Sequence, residues 1–144
     1  MTREAIEALF NVRAQLLQRR DSAGLAKAFA ENGVVESPMF GVVRGRPKIE
    51  AAYADLFRAF PDSNFEQERL IVDAEHNEVV ALFSWQATHA QEMFGLPPSG
   101  RKFTIHGALV YQLEGNHIVH ERRIYDFTGL LIQIGVLRPR PGKD

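Results

Sequence analysis

Residues 102–127 read KFTIHGALVYQLEGNHIVHERRIYDF. Two runs rich in β-branched and aromatic residues, 102–113 and 118–127, flank Glu114-Gly115-Asn116, a separator short enough for a hairpin. Working back toward the N-terminus, 79–88 and 65–72 have the same character. Turn-like stretches, 73–78 and the loop around Gly95-Leu96-Pro97-Pro98-Ser99-Gly100, divide them. The first half is different. Ile6, Leu9, Phe10, Leu16 and Leu17 recur at helical spacing over 3–20, with Arg13 interrupting the stripe and Thr2 placed to cap it. Asp21-Ser22 opens a second short helix over 23–30, closed by Asn32-Gly33. A short strand is expected at 34–37, stopped by Pro38, followed by an irregular apolar loop. Pro47 then opens the clearest helix, whose stripe of Ile49, Ala52, Tyr53, Leu56, Phe57 and Phe60 ends at Pro61. Leu130, Leu131 and Ile134 suggest a closing helical turn over 128–136.

Helices followed by a run of consecutive strands specify an α+β domain with an antiparallel sheet. About three amphipathic helices and about five strands suggest a curved sheet wrapped over the helices, with an internal pocket between them. A chain of 144 residues, 45% hydrophobic and 24% charged, fits one domain spanning 1–144, with 136–144 as a flexible tail. There is no cysteine, which excludes disulfides, thiolate metal sites and a cysteine nucleophile. Seventeen basic residues against 18 acidic ones leave a net charge of -1, with no footprint for nucleic acid or an anionic membrane. No segment reaches the roughly 20 apolar residues of a bilayer span, and charges break the N-terminus from position 3, so the expected location is the cytoplasm. His117 and His120 are the only close histidine pair. On a strand that spacing points to opposite faces, so no metal is expected. Glycine-rich phosphate loops and a G-x-S-x-G elbow are missing.

Four stretches carry a resemblance to a known family. They are Glu36 to Arg46 (ESPMFGVVRGR), the helix end Leu56 to Asp62 (LFRAFPD), the loop Gly95 to Arg101 (GLPPSGR) and Tyr125 to Gly135 (YDFTGLLIQIG). Together they resemble the SnoaL-like polyketide cyclases, relatives of ketosteroid isomerase, scytalone dehydratase and nuclear transport factor two. The resemblance implies a cone-shaped fold, with a curved antiparallel or mixed sheet around a pocket. It also implies ring closure or isomerisation without a cofactor. In the cyclases an Asp on the last strand, shortly before a Leu-Leu-x-Gln-x-Gly tail, is the acid/base. Asp126 holds that place here. Ser37, beside Glu36, stands where ketosteroid isomerases carry a base, and a serine cannot do that work.

Asp126, between Tyr125 and Phe127, therefore has two readings. An apolar setting would raise its pKa and suit a general base, or it caps the helical turn that follows. Strict alternation puts His106 on a face with small and polar residues, from which it could hold Asp126. His120, Arg122 and Asp126 fall on a common face, so Arg122 could stabilise an enolate or simply pair with Asp126. The expected catalytic set is thus Asp126, His106 and Arg122. Met39, Phe40, Tyr53, Phe57 and Trp85 are expected to line the pocket, with His89 and His120 at its rim. Three readings stay open. One is a cofactor-free proton-transfer enzyme on a hydrophobic carbonyl compound, the second a non-catalytic binding module for small apolar ligands, and the third a dimeric structural domain. A homodimer is expected, because one helical layer covers only one face of a sheet.

Overall fold

Thr2 starts the first helix as its spacing suggests, its hydroxyl accepting from the Ala5 N–H at 3.1 Å. The computed structural model describes residues 1–139. Helix α1 is Arg3–Gln18, α2 is Ser22–Lys27 and α3 is Arg46–Ala59. The strands are β1 Phe29–Ser37, β2 Gly41–Arg44, β3 Asn64–Asp73, β4 Glu78–Thr88, β5 Lys102–Glu114 and β6 His117–Tyr125, and a last helix, α4, covers Phe127–Gln133. The sheet order is β2-β1-β6-β5-β4-β3. Only β1 and β6 run parallel, so the sheet is mixed. It is curved and unclosed, and the fold is α+β. No described helix is long and apolar enough to cross a membrane.

Two elements depart from the expectation. The chain turns extended at Phe29, because its pairing with Ile118 on β6 and the Ile118 N–H bond to Ala28 O replace further helix. The stretch expected as a loop after Pro38 forms edge strand β2, pairing Val43 with Val35. Four residues of mostly exposed edge carry too little alternation to be read. Of the expected tail, Val136 and Leu137 are tied by their N–H groups to Leu131 O, at 2.8 and 3.2 Å. Residues 140–144 lie outside the described range.

The ladder is broken at three places, by three extra residues on β1 between Phe29 and Val34 and by one-residue bulges at Glu68 and at Val119. Such insertions bend and twist a sheet. The third has a further effect. Gln112 pairs with His120 and Leu113 with Ile118, so Val119 is the unpaired residue. Ile118 is buried, yet beyond the bulge it is the odd-numbered Glu121, Arg123 and Tyr125 that face the helices. His120, Arg122 and Ile124 do share a face, as alternation says, but it is the outer one. The core lies between the concave face and the helices. Phe10 meets Tyr111 edge-on at 4.7 Å, and Trp85 sits among Phe60, Phe65 and Phe103.

Candidate functional site

Arg13 interrupts the apolar stripe of α1 because it enters the core, where it is 2% exposed. Its Nε donates to Tyr111 Oη at 3.2 Å on β5. Its Nη2 donates to Tyr53 Oη at 2.5 Å on α3 and to Glu121 Oε1 at 2.6 Å on β6. Arg123 Nε takes the other carboxylate oxygen at 2.7 Å, and its guanidinium lies 4.9 Å from the Tyr53 ring centre. Glu121, 1% exposed, is thus held by two cations and by the Tyr53 hydroxyl. Burial alone would raise its carboxyl, but the charges of Arg123 and Arg13 overcome this and hold it at about 2. Burial opposes charge on Arg13 as well, yet the phenols and Glu121 around it keep its pKa well above the ordinary value. Both arginines are cations at any working pH. Burial pushes Tyr125 up to about 12, and Tyr53 and Tyr111 are also raised by burial.

This network forms one wall of a cavity of ≈ 40 Å³ between sheet and helices. Arg13, Arg123, Tyr53, Tyr111 and Tyr125 supply its polar atoms, while Leu17, Met39, Phe40, Phe65, Phe83 and Trp85 supply apolar wall. A water needs about 10–15 Å³ of such space, so at rest the cavity takes a few waters or a small ring. Larger ligands require side chains to move. The lining offers cations and phenols but no carboxylate and no imidazole. Arg13 Nη1 is buried and has no hydrogen-bond partner among the described residues.

Met39, Phe40, Tyr53 and Trp85 line the cavity as expected. Phe57 does not; it stacks on Tyr53 and meets Phe65 edge-on, one layer behind. The expected catalytic set is not brought together here. Asp126 is exposed and caps α4, its Oδ1 accepting from Gly129 N–H at 2.8 Å. The apolar setting expected around this carboxylate is not there. His106 is exposed on the outer face, 3.2 Å from Glu68 Oε1. Arg122 is also outside and donates not to Asp126 but to Glu36 at 3.3 Å, whose carboxylate also holds His120 at 3.1 Å. His89 is no rim residue. It is 1% exposed and lines a second cavity under α4. Sequence reasoning missed Arg13, Tyr111, Glu121, Arg123 and Tyr125. Among the described residues no group of three or more His, Asp or Glu is placed to hold a metal ion.

Comparison with known proteins agrees with the architecture. No curated protein matches the sequence. Among solved structures, TsrD of Streptomyces laurentii superposes with a TM-score of 0.81 at 20% identity, covering 95% of this chain and 99% of its own. IdmH of Streptomyces antibioticus, described as a candidate polyketide cyclase, gives 0.73 at 21% identity over 90% and 98%. A Catenulispora acidiphila protein with a ketosteroid isomerase-like fold, solved with trimethylamine, gives 0.72 at 17% identity over 95% and 96%. These likenesses concern the fold. The model of the SnoaL-like polyketide cyclase family matches residues 7–134, nearly the whole described chain, and the protein belongs to that family.

Proposed function

We propose that the protein is a cofactor-free cyclase or isomerase acting on a small hydrophobic molecule with an enolisable carbonyl. The observation that carries this is the cationic, donor-rich polar wall of an apolar cavity, with two guanidiniums and three phenols and only one carboxylate behind them. That arrangement keeps one net positive charge in a low-dielectric space, where it stabilises a developing enolate far more than water would. The cavity therefore selects the anion of its substrate. Glu121 orients Arg13 and Arg123 and stays ionised, which makes it a weak base. No group in the lining itself takes a proton near neutral pH. The substrate must then be acidic by itself, as a 1,3-dicarbonyl is, and its proton leaves to water. Ring closure follows when the enolate carbon attacks a second carbonyl of the same molecule, whose oxygen takes a proton from water, and isomerisation when water returns the proton to a different carbon.

The test is turnover of a panel of 1,3-diketones. Arg123→Gln and Tyr125→Phe should lower kcat/KM by about 10²-fold or more, the scale of losing an oxyanion donor. Asp126→Ala should leave it unchanged while lowering stability by about 1 kcal/mol through the lost cap. The acid limb of the pH profile should follow the substrate's own ionisation from one diketone to the next. Loss of turnover in Asp126→Ala with retention in Arg123→Gln would reverse the assignment. The lack of a carboxylate or imidazole in the lining equally suits a binding module for anionic aromatic molecules. Tight binding of the panel with no conversion would select that reading.

A further inference from the structure

Two buried side-chain polar atoms lack a hydrogen-bond partner among the described residues, Arg13 Nη1 and His89 Nε2. His89 Nδ1 accepts from the Ser99 N–H at 3.3 Å and lies 3.2 Å from Ser99 Oγ, and the tautomer assigned from the N–H bond puts the hydrogen of the neutral ring on Nε2. Both unpaired atoms are therefore donors. Leaving a buried donor unpaired destabilises the fold, so a ligand oxygen that pairs it is favoured. Each belongs to a residue lining an apolar cavity. The His89 cavity, ≈ 20 Å³, is walled by Phe60, Met93, Phe94, Phe127, Leu130 and Met39. Met39 also walls the Arg13 cavity. A second link joins them, since Phe40 of the first meets Phe94 of the second edge-on at 5.3 Å. Methionine has three rotatable bonds and readily changes shape.

We propose that these cavities are the two ends of one ligand site with Met39 as the gate between them, and that its occupant is an elongated apolar molecule carrying an anionic oxygen at one end and a neutral carbonyl at the other. This rests on the reading of the Arg13 cavity as an anion site and extends it. The anionic oxygen takes Arg13 Nη1. The carbonyl accepts from His89 Nε2. A Met39 side chain swung aside joins two spaces that are each too small for a bicyclic molecule. Phe94, 58% exposed and lining the His89 cavity, stands where such a molecule would enter.

The chain's one tryptophan, Trp85, lines the first cavity, so its fluorescence reports occupation. The probes are benzoate, straight-chain carboxylates of graded length and the corresponding methyl-ketone acids. At one chain length the ketone acid should bind about tenfold tighter than the plain acid, the worth of one hydrogen bond. His89→Leu should abolish that advantage and keep plain-acid binding, which also checks that the variant folds. Met39→Ile, with a stiffer side chain, should lose the long acids and keep benzoate. In the wild-type protein the Nε2–H proton resonance of His89 should move with the ketone acid and stay with the plain one. No ketone advantage at any length, or an advantage that persists in His89→Leu, would overturn the two-ended site. Benzoate binding without long-acid binding would overturn it while sparing the anion site. Silence to benzoate as well would overturn both.

Discussion

Glu121 is the residue on which the site's electrostatics turn. Its carboxyl sits at about 2 in the fold against an ordinary 4.5. A lowered value means that folding favours the ionised form. Its contribution is complete above the unfolded value and drains away as pH falls from about 4.5 to about 2. Glu121→Gln leaves two buried guanidiniums facing a neutral amide, which should cost about 3–5 kcal/mol at neutral pH. Acid titration of both proteins, followed by Trp85 fluorescence, should show the gap between them narrowing through that window. A constant gap would mean that the carboxylate is not what the arginines need. Arg13 left a mark in the sequence, a charge at an apolar position of a helical stripe. Glu121 left none, because the run His120-Glu121-Arg122-Arg123 reads as a solvated surface. Asp126 was legible in one of its two readings, since Asp at the start of Asp-Phe-Thr-Gly and an apolar turn is a helix cap, and in the structure it caps α4.

At the scale of elements, α1, α3 and the four later strands follow from periodicity and turn chemistry, because each is long and well bounded. What periodicity cannot carry is a bulge. Alternation counted from buried Ile118 puts Arg122 inside. The extra residue at Val119 puts Arg123 there instead. A similar close fit fixes Tyr125. It pairs with Gly107 on β5, where an added Cβ would lie 2.9 Å from both Phe83 and the Tyr125 Cβ and would also strike Ile124 O. Gly107→Ala must push strand β6 or the Tyr125 ring away from the cavity. It should cost about 1–3 kcal/mol by overpacking and weaken benzoate binding. A melting temperature and benzoate affinity equal to wild type would show that the wall yields freely.

For the molecule as a whole, the sheet's outer face is left uncovered. Val80, Val110, Leu82, Ala108 and Ile124 stand there in adjacent ladder rows. Arg122 and Glu36, paired in register, continue one row. Both signs of charge on one apolar face suit a second copy turned by a twofold axis. Sedimentation should give twice the 16.2 kDa of one chain, and Leu82→Glu should halve it. A wild-type mass of one chain would exclude the pairing. The charge network has another consequence, for the order of folding. The Arg13–Glu121 bond joins residues 108 apart, and Arg13 reaches Tyr111 across 98. A guanidinium entering the core before its carboxylate would be stranded at a cost of several kcal/mol. Helix α1 leaves the ribosome before β6 does, yet it should stay at the surface until β6 has joined the sheet. An early-made helix should therefore be among the last elements to dock, so that the domain closes in one cooperative step.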